Sequence, residues 1–182
     1  MEKSFIIYHK SKEIDIFIDF LRFSQTLSIQ RINDEFLELK NDFVEEEIDL
    51  VHLREMSLQE IIHDFTGFEL PRDEYFDREI LFQLLPKLGY GTFDISSLIQ
   101  TLCQKNMEEK ELFKQIYLNQ FGRETVETIL GFIENDMNAS KASKALYMHR
   151  NTVNYRLDHF IEKSGINVRT FLGAFAFYSL FH

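Results

Sequence analysis

The chain has 182 residues and a formal net charge of −10; 45% of its residues are hydrophobic and 27% charged, a composition typical of folded proteins rather than disordered ones. The single cysteine, Cys103, excludes an internal disulfide and a multi-cysteine zinc site. The apolar stretches are shorter than the roughly 18 to 20 residues that a membrane span requires, and MEKSFIIYHK is too poor in apolar residues for a signal peptide. We therefore expect a cytoplasmic protein with no membrane partner and, from its length, two domains.

The first elements along the chain are predicted as a strand, an ambiguous segment and a second strand. Residues 4–9 (SFIIYH) and 26–32 (TLSIQRI) have the composition of short strands, whereas residues 11–23 fit a helix or a strand because their apolar residues fall partly at period two. Asn33 is then expected to cap an amphipathic helix over residues 34–47.

The middle of the chain is predicted to be helical. Ser57 followed by Glu60 forms a capping-box pattern that opens SLQEIIHDF, and Gly67 is placed to end that helix. ELPRDEYFD is expected to form a loop, and further helices are predicted over residues 78–88, 96–106 and 108–119. These elements predict a mainly α protein with an α-rich N-terminal domain, in which an α+β arrangement remains possible.

Charge divides the chain near residue 122. From Arg123 onward seven basic residues face six acidic ones, so residues 1–122 carry a net charge of −11. Within the second part, residues 138–163 have a local charge of +3. This asymmetry is compatible with a polyanion-binding region on a domain that otherwise repels polyanions, but on charge alone a solvated helical face is the better explanation.

The end of the chain is predicted to form three successive helices. The first spans residues 125–135 with its apolar residues at helical spacing, Asn138 closes it, and Ser140 is expected to cap the second helix over residues 141–146. Tyr147 and Met148 then form a turn. Small residues in the second helix, among them Ala142, Ser143 and Ala145, allow a close crossing with a neighbouring helix.

The third helix begins at Arg150, behind His149 as its cap. An apolar stripe of Val153, Leu157, Phe160 and Ile161 lies opposite a polar face that carries Asn151, Thr152, Asn154, Tyr155 and Arg156. This arrangement is typical of a helix-turn-helix, whose second helix enters the major groove with its first residues toward the bases. Arg150 can form a bidentate pair with guanine and Asn151 with adenine, while lysines and hydroxyls can hold phosphates.

The pattern NxSxxxxxLxxHRNTVxYRL, from Asn138 to Leu157, resembles the C-terminal helix-turn-helix of the PucR and CdaR regulators. These are bacterial transcription factors that control purine or sugar-diacid catabolism, and the resemblance covers residues 125–177. A wider resemblance extends to the DNA-binding end of the factor for inversion stimulation. Ser143 departs from the alanine common in the family, the stretch after Gly165 ends early, and residues 1–122 do not show the family's sensory and nucleotide-cyclase-like regions. The effector class therefore does not carry over.

Together these observations predict a transcriptional regulator that binds double-stranded DNA as a homodimer, with a small-molecule effector as a further candidate partner. Residues 1–122 are assigned to an acidic dimerisation or sensory domain and residues 123–182 to the DNA-binding domain. The expected DNA contacts are Asn138, Ser140, Lys141, Lys144, His149, Arg150, Asn151, Thr152, Asn154, Tyr155 and Arg156.

Two other function classes compete with DNA binding. The helix-turn-helix can be a degenerate unit that serves only as a protein-interaction module. His52, His63 and Asp64 are similar to the metal ligands of HD-type phosphohydrolases, but no distal aspartate signature follows and a polar helix face is the simpler explanation. The glycines of GYGTFD lack the spacing of a nucleotide loop. We therefore expect no enzyme, no catalytic or metal-binding residue and no cofactor.

Overall fold

The computed structural model of the chain describes residues 3–24, 27–41, 49–71, 77–104 and 106–182, with the side chains of Ser24, Leu27 and Asn41 left out. Parts of the predicted elements at residues 26, 42–48, 72–76 and 105 therefore lie outside the described residues. The chain divides into two compact units: the first contains the described residues of 3–70 and 77–94, and the second contains Pro71 and the described residues from 95 onward. The assignment of separate roles to residues 1–122 and 123–182 stays a prediction.

The first unit is built on a mixed five-stranded sheet. Its main elements are β1 (Ser4–His9), α1 (Ile14–Ser24), β2 (Leu27–Arg31), β3 (Phe36–Asn41), α2 (Leu50–Glu60) and β4 (Phe65–Glu69). The strand order is β2-β3-β1-β4-β5, and β1, β2, β3 and β4 pair antiparallel. This order with β-α-β-β-α-β connectivity is the ferredoxin-like arrangement. α3 (Arg78–Leu84), a 3₁₀ turn (Leu85–Lys87) and β5 (Gly91–Phe93), which is parallel to β4, complete the unit.

α1 is the segment whose periodicity left helix and strand open. Ile14, Phe17, Ile18 and Leu21 all lie in the core, and their spacing of three, four and seven residues places them on one face of a helix. They pack in one cluster with alternate residues of the strands, such as Ile7 of β1. Burial of this face against the sheet therefore selects the helix.

The prediction of a helix over residues 34–47 is wrong for residues 36–41, which form β3. Asn33 caps no helix, since its side-chain oxygen accepts from the backbone N–H groups of Glu35 (2.8 Å) and Phe36 (3.0 Å) in the turn between β2 and β3. The apolar residues fit both periodicities, and pairing with β1 on one side and β2 on the other selects the strand. Leu37 and Leu39 consequently reach the core.

The predicted capping box at Ser57 is also wrong. α2 begins at Leu50 behind Asp49, whose carboxylate accepts from two backbone N–H groups of the first turn. Ser57 lies inside this helix, and its buried hydroxyl donates to the His63 carbonyl at 2.8 Å. Gly67 ends no helix but lies in β4, where an added Cβ would come within 3.1 Å of Leu50.

The second unit is helical among its described residues. Its elements are α4 (Ile95–Cys103), α5 (Met107–Phe121), α6 (Arg123–Glu134), α7 (Ala139–Ala145), α8 (Arg150–Ser164) and α9 (Phe171–Phe181). Tyr117, Phe160 and Phe177 pack as neighbouring rings in its core, with centroids 4.9 to 6.0 Å apart. The helices predicted over residues 78–88, 96–106, 108–119 and 125–135 are confirmed in kind, with shifted ends.

The mainly α fold class therefore holds for the second unit and only in part for the first. The described N-terminal residues form an α+β unit, because β3 and β4 occupy stretches that had been assigned to helices. Within the described ranges, no helix combines the length and apolar character needed to span a membrane.

Candidate nucleic-acid interface

The candidate interface is carried by α7 and α8, which pack on each other and on α6. Gly131 of α6 permits this packing, because a Cβ at that position would lie only 2.8 Å from the Leu146 side chain at the end of α7. Ala142 is fully buried between the helices, as its small side chain predicted, whereas Ala145 is exposed. The close approach fixes α7 as the support of α8.

Asn138, rather than the predicted Ser140, is the N-cap of α7. Its side-chain oxygen accepts from the backbone N–H groups of Ser140 (3.0 Å) and Lys141 (3.1 Å). Asp136 and Met137 immediately before it have positive φ angles of 58° and 52°, which turn the chain between α6 and α7. Both Asn138 and Ser140 are good capping residues, so composition did not distinguish them.

The turn between α7 and α8 is fixed by a backbone hydrogen bond, a left-handed residue and a helix cap. The backbone N–H of Met148 donates to the Ser143 carbonyl at 3.0 Å, which closes the end of α7, and Tyr147 between them has a φ of 51°. His149 caps α8 as predicted, since its Nδ1 accepts from the Asn151 backbone N–H at 3.1 Å. The predicted start of α8 at Arg150 is confirmed.

α8 has one apolar face and one polar face. Val153, Leu157 and Phe160 are fully buried, as the predicted stripe requires. The predicted DNA contacts that the structure leaves exposed are Asn138, Ser140, Lys141, Lys144, His149, Arg150, Asn151, Thr152 and Tyr155. Asn154 and Arg156 are half-buried. The α7–α8 edge therefore presents hydrogen-bonding and cationic groups to solvent.

The cations near this edge differ in how far they are already neutralised. Lys144 and Arg150 make no ion pair or side-chain hydrogen bond within the described part of the chain. Lys141 pairs with Asp136 at 2.5 Å, and the hydrogen bond and charge of the lysine lower the pKa of that carboxyl. Lys144 and Arg150 are thus the side chains most available to an anionic ligand.

Arg156 points toward α6 rather than to solvent. Its guanidinium donates to the Glu124 carboxylate at 2.7 Å, to the Glu124 carbonyl at 3.2 Å and to the Thr128 hydroxyl at 2.9 Å. Only 23% of its side chain is exposed. Because Glu124 lies 32 residues earlier in the chain, no local pattern could indicate this contact.

Asp158 is an acidic residue on the exposed part of α8, where its charge would by itself oppose DNA binding. It pairs with Arg169. The pair removes part of the negative charge from the polar side of α8.

The three residues that suggested an enzyme lie in other surroundings. Asp64 forms a bidentate pair with Arg54 at 2.5 and 2.7 Å, while the His63 ring packs against Phe17. His52 is exposed on α2. No group of three histidine, cysteine, aspartate or glutamate side chains is arranged to hold a metal ion among the residues that the structure describes.

Comparison with known proteins finds a family model that covers this part of the chain. Residues 125–182 match the family model of the PucR C-terminal helix-turn-helix domain. The chain is 45% identical over 97 residues to the uncharacterized protein YxkF of Bacillus subtilis (strain 168), covering 52% of this chain and 32% of that protein. The DNA-binding transcriptional activator AdeR of the same organism is 28% identical over 134 residues, covering 74% of this chain and 28% of AdeR.

The chain spans about a third of the length of these curated relatives. Among solved structures, it is similar to a regulator of polyketide synthase expression from Bifidobacterium adolescentis, with a TM-score of 0.46 and 14% identity. That match covers 99% of this chain and 78% of the other.

Proposed function

We propose that this chain is a bacterial DNA-binding transcriptional regulator in which the first turn of α8 reads base edges in the major groove. The observation that carries the proposal is the exposed run Arg150, Asn151 and Thr152 at the start of α8, in a PucR-type helix-turn-helix domain. The similarity to the transcriptional activator AdeR supports a regulatory role. A regulator of this kind needs no catalytic residue, metal or cofactor.

Base reading is assigned to Arg150 and Asn151. A guanidinium can donate two hydrogen bonds to O6 and N7 of guanine, and an amide can pair in a bidentate way with adenine. The exposed first turn of α8 also offers backbone N–H groups and the positive end of the helix dipole to a phosphate. Thr152 can add a hydroxyl contact at the same end of the helix.

Phosphate contacts are assigned to the surrounding polar groups. The assigned side chains are Asn138, Ser140, Lys141, Lys144, His149, Asn154 and Tyr155. Such contacts hold the helix in register on the duplex but carry little sequence information. Lys144 is expected to contribute more than Lys141, because Asp136 already neutralises Lys141.

Arg156 is assigned a positioning role in place of the predicted DNA contact. Its guanidinium joins α8 to the first turns of α6 through Glu124 and Thr128. A residue held in this way fixes the orientation of α8 without reaching the groove.

The assembly on DNA is proposed to be a homodimer. One module with few cationic contacts binds weakly and with strong salt dependence, whereas two copies one helical turn apart can read a palindrome. The net charge of −11 on residues 1–122 favours a dimerisation or effector-sensing role away from the phosphates. Since bacterial DNA lies in the cytoplasm, the function places the protein there. Sedimentation that shows only monomer with and without DNA would contradict the dimer.

The test begins with genome-wide recovery of DNA bound to the native chain. The recovered sites are then used to compare Arg150→Ala with the unsubstituted chain. We expect the substitution to weaken binding by about 1 to 3 kcal/mol and to relax the sequence preference, with no change in unfolding free energy.

Arg156→Ala is the matched control on the same helix. It should lower the free energy of unfolding by about 1 to 2 kcal/mol, because it removes charge-assisted hydrogen bonds to α6. If the native chain selects no DNA while Arg150→Ala leaves its folding intact, the regulator assignment is wrong and the protein-interaction module takes its place.

A further inference from the structure

Tyr147 occupies the turn between α7 and α8 in an unfavourable backbone conformation. Its φ of 51° lies in the left-handed region, where the Cβ of any residue other than glycine meets the following carbonyl oxygen. Glycine or asparagine usually fills this position after a helix end. An aromatic residue here therefore costs stability that a glycine would not.

The fold obtains nothing from the Tyr147 side chain in return. The residue is 97% exposed, and within the described residues its ring and hydroxyl make no stacking contact or hydrogen bond. A large aromatic side chain held in a strained turn without packing points to a contact outside the protein.

The position of Tyr147 identifies the class of that contact. It precedes Arg150 by three residues and lies in the turn between the two helices that present Lys144 and Arg150 to solvent. In a docked helix-turn-helix the start of the second helix faces the bases, so this turn lies at the rim of the major groove beside the sugar-phosphate backbone. Tyrosine hydroxyls are among the groups that donate to phosphate oxygens.

We propose that Tyr147 is a further DNA contact, whose hydroxyl donates to a backbone phosphate while its ring lies against the adjoining sugar. The contact rests on the proposed function of α8. Because a tyrosine side chain carries no positive charge, the contact adds affinity without releasing counterions. Because it touches only the DNA backbone, it adds the same affinity to every DNA sequence.

Three substitutions at Tyr147 distinguish the effect of its side chain on DNA binding from the effect of the backbone strain on stability. Tyr147→Phe removes only the hydroxyl and should weaken binding to a recovered DNA site about two- to tenfold, the range for one hydrogen bond. Tyr147→Ala and Tyr147→Gly should weaken it at least as much. Only the glycine variant also relieves the backbone strain, so its Tm should exceed that of the alanine variant by about 2 to 4 °C.

Salt dependence distinguishes this contact from a cationic one. The slope of log K against log salt should be unchanged in all three Tyr147 variants, whereas Lys144→Ala should reduce it by about 1 for each bound protomer. Sequence preference should also be unchanged in the Tyr147 variants.

The outcomes distinguish this contact from the function on which it rests. Native-like DNA affinity in Tyr147→Gly, with the unsubstituted chain binding DNA, would overturn the contact and leave the regulator assignment standing. Failure of the unsubstituted chain to bind any DNA would overturn both. A Tyr147→Gly variant that is more stable than Tyr147→Ala but binds DNA more weakly than the unsubstituted chain supports the proposal. Loss of folding cannot explain that combination.

Discussion

The first unit holds a buried carboxylate in an internal ion pair, whereas the α7–α8 edge of the second unit leaves cations open to solvent. Glu38 in β3 is 2% exposed and accepts two hydrogen bonds from Arg78 at 2.8 and 3.1 Å. Arg150 at the start of α8 is exposed and makes no ion pair within the described ranges. In the first unit charge serves the fold, while at this edge it is available to a ligand.

The availability of a charge indicates where in the molecule an anionic ligand can bind. A charge held by a buried partner cannot meet a polyanion without breaking the fold, whereas an exposed and unpaired cation loses little on binding one. Arg156 shows that the distinction applies residue by residue, since it lies on the same helix as Arg150 but belongs to the fold. Substitutions of buried, paired charges should consequently affect mainly stability, and substitutions of exposed, unpaired cations should affect mainly DNA binding.

The largest expected effect on stability is that of Arg78→Met in the first unit. The change leaves the buried Glu38 carboxylate with only Lys40, at 3.5 Å, as its partner among the described residues. We expect the free energy of unfolding in urea to fall by about 3 kcal/mol, the lower end of the range for breaking a buried pair.

The control for this substitution removes both charges. Glu38→Met together with Arg78→Met should recover most of the stability, because no buried charge is then left uncompensated. DNA affinity per folded molecule should be native in both variants. A loss of DNA affinity in a fully folded Arg78→Met chain would contradict the expectation that the Glu38–Arg78 pair contributes to stability and not to DNA binding.

The next effect is a dependence of stability on pH in the first unit. Burial, followed by the charges of His63 and Arg31, lowers the pKa of His9 from 6.5 to about 4. Between these pH values the unfolded chain takes up a proton that the folded chain does not, so stability falls as pH falls from about 6.5 to 4. The full loss is on the order of 2 to 3 kcal/mol and is present below pH 4.

His9→Gln tests this dependence, because glutamine keeps a hydrogen-bonding side chain but does not titrate. Urea unfolding of both chains should show a smaller loss of stability for the variant between pH 6.5 and 4. Parallel curves for the two chains would mean that His9 does not stay neutral in the folded protein. DNA affinity per folded molecule should not differ between the unsubstituted chain and His9→Gln at any of these pH values, since His9 lies in the first unit.

The two regions also differed in how far sequence could predict them. α8 was predictable because its cap, first residue and apolar stripe are local features, and the His149 cap and Val153 burial follow the predicted pattern. β3 was not predictable, because Phe36 and Leu39 fit one face of a helix while Leu37 and Leu39 fit one face of a strand. Pairing with β1 and β2 on either side selects the strand. Long-range pairing, rather than propensity, decided that element.

Within the candidate site the same reasoning explains which roles sequence could not assign. The polarity of Arg150 and Arg156 is identical in the sequence, and only the packing of α6 shows that Arg156 meets Glu124 and Thr128. The choice of Asn138 over Ser140 as the cap likewise depends on where α6 ends. The HRNT run therefore predicted the helix-turn-helix, while tertiary contacts show which polar side chains of α8 are held by α6.

The smallest expected effect is a gain of DNA affinity in Asp136→Asn. Lys141 donates to Asp136 at 2.5 Å, and both side chains are largely exposed. Asparagine tolerates the φ of 58° at this position, so the turn between α6 and α7 should be kept. With the carboxylate removed, Lys141 becomes available to a phosphate, and affinity should rise by less than about fivefold because exposed ion pairs are weak.

The salt dependence and a second substitution identify the source of that gain. If the freed Lys141 binds one more phosphate, the slope of log K against log salt should steepen by about 0.9. Lys141→Gln in the Asp136→Asn background should abolish both the gain and the steeper slope. An equal gain in the double variant would show instead that loss of the negative charge, rather than release of the lysine, raises the affinity, and Lys141 would then not be a phosphate contact.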